Sequence, residues 1–318
     1  MTAFRPHDEC MTSPPVISVD GLTKHYGRRA AVDHLTVDLP RGVVAGFIGP
    51  NGAGKTTTMA MLLGLVRPTS GGGTVLGEPL DRPDRYLGRV GALVEGPALW
   101  PALTAVENLR ALAHLSGKGA SRIPEVLDLV GLTDRAGDRF GEYSLGMKQR
   151  LGIAGALLGD PALLILDEPA NGLDPVGMSE MRDLIGRLAA EDRTVLVSSH
   201  VLSEVEQISD WLLIIRDGQL VYAGEAAGFE SQASTEIHLA PADLGQLLPL
   251  ADLVSAAGLV AGRHDDELVV SVNGHDPRAL AASLNGSAAA AGIVLAELHV
   301  RRPSLEVNYF RVIEGETR

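Results

Sequence analysis

The chain has 318 residues, 45% apolar and 21% charged, with 27 basic against 40 acidic side chains and a net charge of −13. That length leaves room for two domains, one with a core large enough to be stable alone. The acidic balance argues against nucleic acid as the main partner, because a phosphate backbone favours basic surfaces, and no run of about eighteen apolar residues is present to span a membrane. Residues 1–14 carry charges and prolines but no apolar stretch, so they are expected to form a disordered tail and not a secretory signal. The single cysteine, Cys10, lies in that tail. An intramolecular disulfide is therefore impossible, which suits a reducing cytoplasm.

Along the chain, Val16 to Leu39 alternates between apolar and polar residues, with turn residues near Asp20–Gly21 and Tyr26–Gly27. This predicts a short antiparallel β unit. "GVVAGF" follows as a buried strand, and "TTTMAMLLGLV" as a helix. "RPTSGGGTVLGEPL" is a loop and a short strand. From about Glu95 to Gly159 the periodicity is helical, through "TAVENLRALAHL", "IPEVLDLVGL" and "MKQRLGIAGALL". "ALLILDEP" and "RTVLVSSH" are compact strands with the helix "PVGMSEMRDLIGRLAAE" between them. Alternating strands and helices predict an α/β core with a parallel sheet. "WLLIIRDGQLVYAG" is a hairpin turning at Asp217–Gly218. Composition shifts near Gly228, and residues 235–314 predict a β-α-β-β-α-β unit, a ferredoxin-like order, closed by the helical piece "PSLEVNYFRVI".

"FIGPNGAGKTTTM" places three glycines, a lysine and three threonines between a strand and a helix. Gly49, Gly54, Lys55 and Thr56 match the phosphate-loop pattern. Pro50, Asn51, Gly52 and Ala53 complete the loop, and Thr57 follows it. Backbone N–H groups of such a loop converge on an anion, and the helix N-terminus adds positive potential. Lys55 would reach the terminal phosphates of a nucleoside triphosphate, and the Thr56 hydroxyl would hold Mg²⁺. In "LLILDEP" two carboxylates emerge at the end of a buried strand, the edge where open α/β sheets bind ligands. Asp167 would hold Mg²⁺, and Glu168 would polarise the attacking water. In "YSLGMKQR", Ser144 and Gly146 precede a helix. Ser144 reads equally as a helix N-cap and as part of a phosphate grip.

Together these segments resemble the nucleotide-binding subunit of an ABC transporter, over about Val16 to Gly228. "GPNGAGKT" is similar to the family's Walker A loop, "LLILDEP" to Walker B and "YSLGM" to its signature. "NGLD" resembles the D-loop ending at Asp174, "VSSH" the switch histidine at His200, and Tyr26 the aromatic that stacks on adenine. The resemblance implies an α/β P-loop NTPase of ABC type, residues 15–230, with an antiparallel β subdomain and a helical subdomain over about 96–160. It also implies ATP and Mg²⁺ as ligands, a homodimer in which Ser144 and Gly146 of one subunit close over ATP held by Lys55 of the other, and a separate multi-span permease. The chain is then expected at the cytoplasmic face of the membrane, touching the membrane only through the permease. Three positions depart from the family pattern. Leu145 and Met147 replace glycine and glutamine in the signature, and Glu95 stands for the Q-loop glutamine as a further Mg²⁺ ligand. The signature and Q-loop changes resemble the branch of bacterial exporters for bacitracin-like and lantibiotic-like peptides, and "RRPSLEVNYF" resembles the C-terminal extension of daunorubicin-type exporters. The permease is expected to dock near Leu99 and Trp100, although Trp100 reads equally as core. A soluble ABC-type ATPase not coupled to transport is the alternative. It is disfavoured by the single cassette and the acidic charge.

Overall fold

In the computed structural model, which describes residues 14–189, 193–231, 235–272 and 275–301, the alternating N-terminal stretch forms an antiparallel pair. Its strands are β1 (Ile17–Tyr26) and β2 (Arg29–Leu39). The pair turns at Gly27–Arg28, beside the expected Tyr26–Gly27. The turn expected at Asp20–Gly21 is instead a bulge inside β1. The register shifts between Val19 and Leu22, Gly21 takes φ +58°, and its N–H donates to the Thr36 hydroxyl at 2.9 Å. A bulge bends a strand without ending it, so Ile17, Val19 and Leu22 all remain buried.

Next come β3 (Val44–Ile48), α1 (Lys55–Leu62), β4 (Ser70–Val75), β5 (Glu78–Pro79), α2 (Pro83–Tyr86) and β6 (Val90–Leu93). Strand β6 falls just before the helical stretch and was not expected from the sequence. Three helices follow, α3 (Ala105–Ser116), α4 (Ile123–Leu129) and α5 (Leu145–Leu157). Helix α3 starts at a capping box in which the Thr104 hydroxyl accepts from Glu107 N and the Glu107 carboxylate accepts from Thr104 N. The chain returns through β7 (Leu163–Asp167), α6 (Pro175–Ala189), β8 (Thr194–Ser199), α7 (Leu202–Glu206), β9 (Trp211–Arg216), β10 (Gln219–Glu225) and α8 (Ala226–Ser231). The hairpin of β9 and β10 turns at Asp217–Gly218, as expected.

Strands β1, β2, β4 and β5 form one antiparallel sheet. A second sheet runs β10-β9-β3-β8-β7-β6, parallel from β9 to β6. Both faces of this second sheet are covered, which explains why its strands are apolar at consecutive positions. On β7, Leu163 and Ile165 pack with α1 and the antiparallel sheet, whereas Leu164 and Leu166 pack with α3 to α6. Each fully buried leucine there stabilises the fold by about 2 kcal/mol.

The chain divides into two compact units after Ala226. The second has its own core around Ile237, Leu239, Leu250, Val254, Val270 and Leu284. Its elements are β11 (Glu236–Pro241), α9 (Leu247–Ala256), β12 (Ala261–His264), β13 (Glu267–Ser271), α10 (Pro277–Ala290) and β14 (Leu295–Arg301). They follow the β-α-β-β-α-β order expected of a ferredoxin-like unit and pair antiparallel as β12-β13-β11-β14. The helix expected from Asp243 begins with a 3₁₀ turn capped by that aspartate, which accepts from Gly245 N at 2.9 Å. The closing piece "PSLEVNYFRVI" and the tail around Cys10 lie outside the described residues.

Candidate functional site

Three neighbouring parallel strands, β3, β8 and β7, end together, with Ile48 beside Ser199 and Asp167 beside Ser198. The glycine-rich loop leaves the end of β3 and the two carboxylates leave the end of β7, so the sheet register brings them to one edge. Glycine is required at two loop positions. A β-carbon on Gly49 would stand 2.4 Å from the Ile215 carbonyl oxygen. On Gly54, which has φ +114°, it would stand 2.4 Å from the Ala31 carbonyl oxygen. Gly54 is the residue from which α1 starts, so the loop amides and the helix N-terminus face the same space.

Lys55 lies almost fully buried beneath the loop. Its Nζ donates to the Gly49 carbonyl at 2.6 Å and the Pro50 carbonyl at 3.4 Å, and pairs with Glu168 Oε1 at 3.3 Å. The Thr56 hydroxyl donates to Asp167 Oδ2 at 2.8 Å. Ser198, fully buried on β8, donates to Asp167 Oδ1 at 2.5 Å and accepts from Glu168 N at 2.8 Å. That second bond holds Glu168 at φ +49°, a left-handed conformation costly for a non-glycine residue. The other carboxylate oxygen of Glu168 meets His200 Nδ1 at 2.7 Å. Thr56, Asp167, Ser198, Glu168 and His200 thus form one bonded chain, and Lys55 joins it at Glu168.

A cleft of about 520 Å³ opens over this chain. Tyr26, Asn51, Gly52, Gly54, Lys55, Thr56, Thr57, Glu168 and His200 line it, together with Asn171 from the D-loop segment and with Arg29 and Ala31, which the sequence did not point to. Gly49, Pro50 and Ala53 shape the loop from behind, and Asp167 reaches the site through Thr56. The Tyr26 ring is 52% exposed at the rim, with Lys24 Nζ at 5.1 Å from its centroid. Thr56 and Asp167 offer the hard oxygen donors that suit Mg²⁺. Among the described residues no group of three or more His, Cys, Asp or Glu could hold a metal by itself.

Ser144, Gly146, Asp174 and Glu95 do not line this cleft. Ser144 caps α5, accepting from Met147 N at 3.3 Å, so its N-cap reading holds within the chain. Asp174 accepts from Gly177 N at 2.8 Å at the start of α6. Glu95 sits exposed beyond β6 with φ +58°. Trp100 is 45% exposed and so is not core, whereas Leu99 packs against the core between α3 and α6. The loop carrying Trp100 is fixed by the buried Asn108, whose amide donates to the carbonyls of Trp100, Leu103 and Thr104. The sequence did not single out Asn108 or Ser198, because nothing in their immediate neighbours marks them.

Comparison with known proteins points to one family. Residues 32–171 match a family model described as ABC transporter. The bacitracin transport ATP-binding protein BcrA of Bacillus licheniformis is 50% identical over 209 residues, 65% of this chain and 68% of that protein. The lantibiotic transport ATP-binding protein SrtF of Streptococcus pyogenes is 41% identical over 216 residues, 68% of this chain and 93% of that one. A solved ATP-binding subunit of an ABC transporter, 31% identical, superposes with a TM-score of 0.61 over 68% of this chain and 92% of its own.

Proposed function

The chain belongs to the ABC transporter family of ATP-binding subunits, and on that premise we propose how its own residues do the work. It is an ATPase that powers an exporter of antibiotics or peptides, and it works with a separate membrane permease. Among the described residues no helix is long and apolar enough to cross a membrane. We place the chain at the cytoplasmic face, bound to the membrane through the permease. A second cleft of about 420 Å³, lined by Leu93, Gly96, Pro97, Leu99 and Gly152 among others, supports docking of the permease near Leu99 and Trp100.

The observation that carries the mechanism is the bonded chain from Thr56 to His200, with Lys55 attached at Glu168. When ATP enters, Lys55 exchanges Glu168 for the β- and γ-phosphate oxygens, a stronger charge-assisted contact. The loop amides hold the remaining phosphate charge, and Tyr26 offers its face to the adenine. Freed from Lys55, the Glu168 carboxylate takes a proton from a water whose oxygen attacks the γ-phosphorus. The bond from the γ-phosphorus to the bridging oxygen breaks, and ADP and phosphate leave. His200, held by Glu168, senses the γ-phosphate. Mg²⁺, where bound, would neutralise phosphate charge, held by Thr56 and Asp167, with Glu95, which stands outside the cleft here, assigned to it only when the dimer closes.

We further assign the working unit to a homodimer. Ser144, Gly146 and Asp174 stand outside their own cleft, which supports their use in trans over the nucleotide of a second copy. Closure is a ligand-driven population shift. The test is co-expression with the membrane protein encoded alongside, followed by purification and phosphate-release assay. ATP hydrolysis by a chain that brings down a multi-span membrane protein supports the proposal. A chain that hydrolyses ATP but binds no membrane protein would overturn the coupling to transport.

A further inference from the structure

The signature turn and the D-loop turn of the same chain interlock. Leu145 and Gly146 open α5, and Gly172 and Leu173 precede α6. Leu145 Cδ2 lies 3.1 Å from where a β-carbon on Gly172 would stand. In return, Leu173 Cδ2 lies 3.6 Å from where one on Gly146 would stand. Each leucine therefore covers the glycine of the other pair. Gly172 has no side chain of its own to fill that space, and its φ of +77° disfavours any other residue there. Leu173 and Met147 also pack on the core between α3 and α6, which anchors the contact from both sides. Leu145 stands where the family pattern has glycine, so this contact is made by a departure from the pattern.

The D-loop side leads back to the reacting groups. Asn171 lines the cleft, and its backbone N–H donates to the Glu168 carbonyl at 3.1 Å. Gly172, under Leu145, is the next residue. On the signature side, Ser144 adjoins Leu145 and is exposed. Ser144 is thus linked through Leu145 to the turn that follows Glu168 in the chain's own cleft. A glycine at position 145 would leave a gap here, and atoms lining a gap lose their dispersion partners on that side.

We propose that Leu145 is a positioning residue that locks the signature turn to the D-loop turn of its own chain, so that closure over one nucleotide sets Glu168 at the other. The proposal rests on the two-subunit reading above. Leu145 is exposed, at 46%, so its truncation should leave the fold intact.

The test uses the full-length chain with Leu145→Gly, Leu145→Ala, Leu145→Met, Leu173→Ala and the double variant Leu145→Ala/Leu173→Ala. Three quantities are measured: affinity for a fluorescent ADP, ATP turnover with its Hill coefficient, and ATP-dependent pairing by size exclusion. Leu145→Gly and Leu145→Ala should keep ADP affinity while turnover falls about three- to tenfold and the Hill coefficient drops towards one. Leu145→Met, which refills the space, should restore both. The double variant should be no slower than the slower single variant, because both leucines serve one contact. Wild-type turnover and cooperativity in Leu145→Ala and Leu145→Gly, or additive losses in the double variant, would overturn the proposal. So would a loss of ADP affinity in step with turnover, which would mark a general defect in the fold. If Glu168→Gln, in which slow hydrolysis should hold the closed dimer, shows no ATP-dependent pairing, the two-subunit reading fails and takes this proposal with it. If Glu168→Gln pairs and the Leu145 variants keep wild-type turnover and cooperativity, only the role of Leu145 fails.

Discussion

Glu168→Gln separates the charge of the carboxylate from its shape. In the structure Glu168 meets Lys55 Nζ at 3.3 Å and His200 Nδ1 at 2.7 Å. The amide still accepts one hydrogen bond, and Lys55 keeps its 2.6 Å bond to the Gly49 carbonyl, so the loop should hold its fold. At 3.3 Å the bare Lys55–Glu168 attraction is about 5 kcal/mol for an effective dielectric near 20. Solvation of the two groups offsets most of it, leaving a hydrogen bond between charged partners worth about 1.5–3 kcal/mol. ATP has to displace that bond to engage Lys55. Removing the negative charge should therefore tighten ATP binding by up to about 1.4 kcal/mol, or about tenfold. Loss of the base should slow hydrolysis by roughly 10²–10⁴, which is about 3–5 kcal/mol on the barrier. Affinity and turnover move in opposite directions, whereas a folding defect would lower both. The assay pairs a fluorescent-ATP titration with steady-state phosphate release, and size exclusion with and without ATP should show the closed dimer accumulating. Turnover within threefold of wild type would show that Glu168 is not the base.

Three further perturbations have defined outcomes. Lys55→Ala removes the buried cation under the loop, and ATP affinity should fall by about 10- to 150-fold, the worth of a hydrogen bond to a charged group; unchanged binding in the same titration would refute the assignment of the loop. Tyr86, whose hydroxyl donates to the Leu62 carbonyl at 2.9 Å, has its pKa pushed up to about 12 by burial. The folded state favours the protonated form, so this contribution is complete below pH 10.0, the ordinary value, and is lost as pH rises towards about 12. Tyr86→Phe should cost about 1 kcal/mol in urea unfolding at neutral pH, and the gap to wild type should narrow between those two pH values; a constant gap would refute it. Glu95→Gln, in the assembled transporter, should retain activity but shift the Mg²⁺ concentration for half-maximal turnover, and Glu95→Ala should cost more. Wild-type Mg²⁺ dependence and turnover in both variants would remove Glu95 from the metal site.

What could be read without the fold is what is contiguous along the chain. A phosphate loop is built from consecutive residues because neighbouring amides must point at one anion, so Gly49 to Thr56 carry their own pattern. Asp167 and Glu168 were legible for a similar reason, since an apolar run followed by two acids marks a buried strand reaching the ligand edge of a sheet. The hairpin at Asp217–Gly218 and the β-α-β-β-α-β order of the second unit likewise follow from local periodicity and turn chemistry. Contacts between distant residues were decided only by the tertiary structure. Ser198 binds both Asp167 and the Glu168 amide only because β7 and β8 lie in register. Arg29 and Asn171 reach the cleft from separate segments. Strand β6 is four residues long, too short for periodicity to separate it from the helices that follow. Gly21 looks like a turn residue in sequence, yet pairing with β2 and β4 absorbs it as a bulge. Leu145 could be seen as a departure from the family pattern, but the space it fills over Gly172 exists only once two turns 27 residues apart have folded against each other. Sequence records the chemistry each residue carries, and packing decides which residues share it.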